Sequence, residues 1–433
     1  MSGELLLTNI GAVVSGDVQT GILCGVDTIS VSGGRIERVG AAQEFQKNDY
    51  RCVIDVGGQT VIPGLIDAHV HNGMEDFSAC LQMSGILEDA LRNGTTTMIS
   101  EGEQGPGYPR FYGDKDGVKA GAVFANRIYQ HYHPGKGLKL HAGALVLTDD
   151  MQESDFAELR ALGINRIAEI GGGGCSDMER LRPMVSWARN NGFFISVHLA
   201  PPSIPGSAWL RAEDIIALQP DKVSHANGGT TGSSWSEIKQ VIDHTQAKIE
   251  LVPEGNYLNF NRILRYLKEL GALDRVILGS DAPTGACMLQ GAINKAITRA
   301  SCLNEIPAWQ AISFATGNTA DCYQLPVGRI EPGKQADLVV IDAPPGSVGE
   351  DALGAIEAGD LFGCSLVIAD GAVVALHGRD TRATGRSCSC NGRPLFQGGL
   401  HEFLYDPPHA ETVGAQLGQR ISEGCGRVSG QSE

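Results

Sequence analysis

The residues with most chemistry to offer begin in VIPGLIDAHVHN, residues 61–72. Pro63-Gly64 separates two apolar runs, and the second run ends on His69 and His71. Two histidines at i and i+2 on an extended strand point to the same side. Neutral imidazole is the commonest side-chain ligand of zinc and related divalent ions. Taken alone, the pair is equally well explained as two core histidines held by backbone carbonyls. Four further residues of metal-binding type stand at the ends of short apolar runs: Glu169 in RIAEIGGGG, His198 in FISVHLAPP, His225 in KVSHANGG and Asp281 in VILGSDAPTG. Each alone reads as a satisfied structural group. Together, four histidines, a glutamate and an aspartate suit two divalent metals, with Glu169 bridging them. Such donors accommodate zinc, iron or manganese. Two ions about 3.5–4 Å apart would lower the pKa of a bridging water from near 16 toward about 7, making hydroxide the nucleophile. Asp281 can accept the proton and return it to a departing nitrogen.

These residues need a scaffold that brings strand ends together. From residue 63 to 325 the pattern is strand followed by helix, repeated, with strands expected at 65–70, 95–101, 138–146, 164–170, 193–199, 222–226, 248–252 and 275–279. Between them DFAELRALG, DMERLRPMVSWARNNG, SEIKQVIDHT and FNRILRYLKELG carry apolar spacing near i, i+3, i+4, most closing on Gly. Eight parallel units over about 250 residues predict an α/β fold of the (β/α)8 TIM-barrel type, whose active site lies at the C-terminal strand ends. A doubly wound sheet is the alternative, but no Gly-rich dinucleotide fingerprint follows the first strand. Residues 1–62 and 326–379 are β-rich with Gly turns. Neither segment holds enough strands for a core of its own, which predicts one small β-sandwich assembled from both termini. Residues 380–433 read as an irregular, Gly-, Ser- and Arg-rich extension, one that could wrap a neighbour.

Composition narrows the partners. A 433-residue chain with 42% hydrophobic and 19% charged residues is a folded protein with room for one large core and a satellite. No apolar run reaches the roughly 20 residues of a membrane span. The start, MSGELLLTNIGAVVSG, lacks a secretory pattern, so a cytoplasmic protein is expected. Eleven scattered cysteines predict free thiols rather than a disulfide framework, and Cys388-Ser389-Cys390 is too short to define a metal site. A net charge of -16 disfavours a nucleic-acid partner.

The VIPGLIDAHVH start, the strand-end His, His, Asp series and the late GRIEPGKQADLVVID segment resemble the amidohydrolase superfamily across nearly all of residues 1–379. More narrowly, TTTMIS, SIPGS, VSHANGG, SDAPTG, ATGNTA and GSVGEDALGAIEAGD are similar to its enamidase branch, which hydrolyses a cyclic enamide of nicotinate breakdown with release of ammonia. The resemblance implies a cyclic-amide substrate, a mixed zinc and iron centre and a homotetramer. Dihydroorotases and hydantoinases bridge their metals with a carboxylated lysine; this chain has Glu169 there, as the enamidase pattern does. Competing readings are another cyclic amidohydrolase or heterocycle deaminase, acting on a hydantoin, dihydropyrimidine or amino-heterocycle, and a non-catalytic scaffold. A scaffold would be expected to have lost ligand residues, and none is missing.

For substrate recognition, GEQGPGYPRFYGDKDG after the second strand offers Arg110 as a fork for a substrate carboxylate, with Tyr108 beside it. A solvated loop arginine explains Arg110 as well. His141 is expected to face inward near the site, and Arg166 to face away from Glu169. His131, His133 and His244 lie in helical stretches and carry no role.

Overall fold

The computed structural model describes residues 3–72, 83–102, 113–131, 137–202, 207–282, 290–377 and 381–395. Eight parallel strands follow one another in the chain. They are Leu65–Val70, Thr95–Ser100, a third in two pieces (Lys139–His141 and Ala144–Leu145), Arg166–Ile167, Ser196–His198, Lys222–Ser224, Lys248–Leu251 and Val276–Leu278. The first three pair in sequence, as do the second piece of the third with the fourth and the fifth through the eighth. Isolated parallel bridges join Arg166 to Phe194, Ile170 to Val197 and, at the far end, Val70 to Ala282. The succession of pairings thus leads from the eighth strand back to the first.

Several strands are shorter than their apolar runs predict, the third and fourth in ways that bear on the site. The third breaks at Ala142-Gly143, where Asn126 Nδ2 donates to the Ala142 carbonyl at 3.1 Å in place of a strand partner. The fourth keeps regular geometry only over Arg166–Ile167. Its backbone still bonds both neighbours, through Ala168 N to Leu145 O at 2.9 Å and Ile170 N to Ser196 O at 3.0 Å.

The helices form where spacing and caps agree. Tyr257–Glu269 starts on Asn256, whose side chain accepts from the Asn259 amide, and buries Phe260, Ile263, Leu264 and Leu267 on one face. Each such side chain contributes roughly 1.5–3 kcal/mol by leaving water. Met178–Asn190 is capped by Asp177 and buries Leu181, Met184, Val185 and Ala188 in the same way. Glu153–Ala161 and Trp235–His244 complete the predicted set. Among the described residues, no helix is long and apolar enough to cross a membrane.

The chain ends form two sheets. One has the order Arg393–Pro394, Ser389–Cys390, Tyr50–Asp55, Gly3–Thr8, Thr28–Ser32, Arg35–Gly40. The other runs Ala372–Leu376, Gly363–Ala369, Leu338–Asp342, Thr60–Pro63, Ala12–Val13. Leu5, Leu7, Ile29 and Ile54 of the first share an apolar cluster with Val61, Leu338, Val340 and Leu366 of the second. The described part of the extension adds two short strands to the first sheet. Ser389–Cys390 pairs antiparallel with residues 54–55, and Cys388, Cys390 and Leu395 are buried in the shared cluster; residues 396–433 lie outside the described residues.

Candidate metal centre

Strand one carries His69, and His71 follows directly after it. What fixes them is the junction with the end of strand eight. Asp67 Oδ1 accepts from the amides of Ser280 at 2.8 Å and His69 at 3.1 Å. The Asp281 amide donates to His69 O at 2.9 Å, and the His71 amide to Ala282 O at 2.8 Å. Gly279 permits this approach, since a Cβ there would lie 2.6 Å from His69 Cβ. Asp281 turns out of the strand with φ +57°, a conformation that Asp tolerates better than most residues. Its Oδ1 then lies 3.4 Å from His69 Nε2 and 3.2 Å from His71 Nε2. The next described helix, Ala292–Cys302, has Gly291 at its N-cap, so Asp281 does not cap it.

A second group forms opposite. Glu169 Oε2 is 2.8 Å from His225 Nε2 and 3.7 Å from His198 Nδ1, and those two nitrogens are 3.1 Å apart. Glu169 Oε1 points the other way, 3.9 Å from His71 Nε2. The run of glycines after it leaves space for this pose, because a Cβ on Gly172 would fall 2.7 Å from Oε1. His225, like Asp281, has positive φ, at +30°. Backbone held in a sparsely populated region is concentrated at functional sites.

The donor set fits cations. His69 Nδ1 lies 2.7 Å from Glu250 Oε1, and His71 Nδ1 lies 3.2 Å from Gly102 O. Oxygen acceptors keep a proton on each Nδ1, so the two Nε2 lone pairs face each other at 3.0 Å beside a carboxylate. That convergence is repulsive unless a cation neutralises it. Burial disfavours charge on His69, yet the Glu250 and Asp281 carboxylates outweigh it and raise its pKa to about 10, so without a metal ion the neutralising cation is a proton on Nε2, whose place a bound metal would take. Burial alone would raise Glu169, but His225 and His198 hold it well below the usual carboxylate range. His198 Nε2 and His225 Nδ1 are buried without a hydrogen-bond partner among the described residues. Two groups, His69, His71 and Asp281, and Glu169, His198 and His225, thus each have ligand atoms within 4.8 Å of one another.

Comparison with known proteins gives the family of this chain. Residues 235–374 match the Amidohydrolase family. Enamidase from Eubacterium barkeri is 38% identical over 384 residues, covering 89% of this chain and 98% of its own length. The chain belongs to the amidohydrolase superfamily. A crystal structure of enamidase superposes with a TM-score of 0.84 at 37% identity, over 89% of this chain and 99% of that one. Imidazolonepropionase from Bacillus cereus (strain B4264) is more distant, 24% identical over 78% of this chain and 90% of its own length. As a member of the superfamily, the chain is a hydrolase acting on C–N amide bonds.

This amidohydrolase also contains a buried polar chain that the strand-end reading missed. Glu250, in the seventh strand, holds His69 with one oxygen and Lys222 Nζ with the other at 2.5 Å. Lys222 Nζ is 2.8 Å from Glu101 Oε1, and Glu101 Oε2 accepts from Ser196 Oγ at 2.5 Å. The Glu250, Lys222 and Glu101 side chains are at most 1% exposed. Glu250 also accepts the His225 amide at 3.0 Å, so one carboxylate positions a residue of each group. Removing such an outer partner typically costs 10–100-fold in metal affinity. Glu250→Gln should weaken binding to metal-free protein by about 10–100-fold in chelator competition; unchanged affinity would remove the positioning role.

Of the remaining predicted residues, His141 requires correction. It lines a cavity of about 720 Å³ with Asn165, Arg166, Phe194, Lys248 and Tyr323, whose walls come from strand beginnings rather than strand ends. Burial, with Arg166 and Lys139 nearby, lowers its pKa to about 4, so it is neutral, and it belongs to neither ligand group. Arg166 donates to the carbonyls of His141 and Ala142, at 2.5 and 3.2 Å. Tyr108, Arg110 and His133 lie outside the described residues. His131 and His244 end helices Lys115–His131 and Trp235–His244.

Proposed function

We propose that this amidohydrolase hydrolyses the C–N bond of a cyclic amide, an enamide or lactam, at a binuclear centre. His69, His71 and Asp281 would hold one divalent ion and His198 and His225 the other, with Glu169 bridging. The observation that carries this is the opposed pose of the Glu169 oxygens, Oε2 at 2.8 Å from His225 and Oε1 directed toward His71 at 3.9 Å. When bound, two divalent ions supply Lewis acidity and lower the pKa of a water from near 16 toward about 7.

The chain's own residues do the rest. Asp281 accepts the water proton at its carboxylate and delivers it to the nitrogen as the C–N bond breaks. Glu250, holding His69 through Nδ1, keeps Nε2 free to bind. The likeness to enamidase favours an enamide ring. Its nitrogen leaves as an enamine, which tautomerises to an imine and loses ammonia on hydration. Arg110 and Tyr108 are proposed to meet a substrate carboxylate, and His141 is no longer part of the site.

Zinc and iron are the favoured ions, and manganese suits the same donors. The returning strand pairings support a (β/α)8 barrel over residues 63–325, and the two terminal sheets support a sandwich of 1–62 with 326–379. A homotetramer in the cytoplasm completes the reading; the eight described cysteines, all free thiols, are consistent with a reducing compartment. The test is metal analysis of purified protein combined with a panel of cyclic amides assayed for ammonia release. About two equivalents of metal per chain and preferential turnover of cyclic enamides are expected. Absence of metal would overturn the centre, and turnover confined to amino-heterocycles would overturn the substrate.

A further inference from the structure

The Cys-Ser-Cys motif takes no part in the metal centre, yet the fold gives one of its cysteines a partner. Ser389–Cys390 pairs antiparallel with Tyr50–Asp55, with Cys390 opposite Ile54 and Ser389 opposite Asp55. Side chains alternate along a strand, so Cys52, Ile54 and Cys390 share one face. The Cys52 and Cys390 sulfurs are 3.1 Å apart. Cys388 is not an equivalent partner, since its sulfur accepts from Gln59 Nε2 at 3.4 Å.

Contacts independent of sulfur bring the pair together. The Asn391 amide donates to Val53 O at 2.9 Å, and the Val53 amide to Asn391 Oδ1 at 3.1 Å. Leu395 N bonds Cys388 O at 2.9 Å, and Arg386 Nε reaches the Asp342 carboxylate at 3.1 Å.

We propose that Cys52 and Cys390 are a thiol–disulfide exchange site, which forms an intramolecular disulfide with a low-molecular-weight disulfide of the glutathione type as co-reactant. Cys52 is half-buried and can be reached from solvent, whereas Cys390 is 2% exposed. Cys52 Sγ, as thiolate, attacks the external disulfide, forming a mixed disulfide and releasing one thiolate of the reagent. Cys390 Sγ then attacks Cys52 Sγ, and the second reagent thiolate leaves. Two protein thiols are oxidised, one external disulfide is reduced to two thiols, and the two protons pass to the departing sulfurs. The S–H of Cys52 donating to Cys390 lowers the latter to about 7 and raises Cys52, so Cys52 attacks once its proton has passed to the touching Cys390 sulfur.

The bond would close a loop across 338 residues and tie the extension's hairpin to the N-terminal sheet. The experiment uses the full-length protein, incubated with oxidised glutathione, acid-quenched, alkylated and mapped without reduction. A Cys52–Cys390 cross-linked peptide is expected, with exposed Cys24 glutathionylated as an internal control. Proteolytic cleavage within 381–395 should slow at least several-fold on oxidation, and show no redox dependence in Cys390→Ser. Stable glutathione adducts on Cys52 without the cross-link would overturn the proposal, as would modification of Cys24 alone. Should the serine variant fold poorly, dibromobimane on reduced wild type gives an independent readout. Fluorescent bridging of Cys52 to Cys390 supports the pair, and its absence refutes it.

Discussion

Asp281→Asn is expected to lower kcat by about 10²–10⁴-fold, the usual range for losing a positioned acid/base group. At about 1.36 kcal/mol per decade this is roughly 3–5 kcal/mol of barrier. The structure makes the substitution a clean one. Asn keeps the side-chain shape and tolerates the left-handed backbone that Asp281 occupies at φ +57°. The hydrogen bonds from the Ser280 amide to Asp67 Oδ1 and from the Asp281 amide to His69 O remain in place. Asp281 does not cap the next described helix, since Gly291 stands at its N-cap. Fold and Tm should therefore match wild type once metal content is equalised. Near-normal turnover with a lowered Tm would show a purely structural aspartate.

Glu169→Gln should release at least one metal ion, and activity should fall with it. The replacement has the same size, so it fits above Gly172, where a Cβ would lie 2.7 Å from the native Oε1. What it lacks is the negative charge that lets one side chain face two cationic positions, and an amide nitrogen presents a donor where an acceptor is needed. Metal stoichiometry after gel filtration should drop from about two toward one or none, following the general logic of charge-matched ligand sets. A variant that retained both ions and full activity would sink the bridging assignment while leaving the two histidine groups intact.

The residues with legible roles were those whose type and place in a strand agree. His69 and His71 at i and i+2, and Glu169, His198, His225 and Asp281 at the ends of apolar runs, are brought together as two facing groups. Glu250 carried a signal that was not used: a carboxylate between Ile249 and Leu251 is a buried charge, which requires a partner. Its partners are long-range, with His69 lying 181 residues away, so only the assembled strands reveal the pairing. His141 was misplaced for a local reason, the break at Ala142-Gly143, which an uninterrupted apolar run conceals. The Ser389–Cys390 and Arg393–Pro394 strands have two residues each, too few to show any period.

The junction of the first and eighth strands also sets a timetable. Asp67 and Ser280 are separated by 213 residues, so at roughly 5–20 residues per second a ribosome needs on the order of 10–40 s to deliver the second after the first. Throughout that interval His69 and His71 wait without Asp281 and without the strand-eight bridge from Ala282 to residue 70, and for most of it without Glu250 to hold a ring in its tautomer. The group of His69, His71 and Asp281 is thereby completed only when translation has passed the eighth strand. A nascent chain that stalls earlier is a histidine pair on an unpaired edge, a target for chaperones and proteases rather than a partly loaded enzyme.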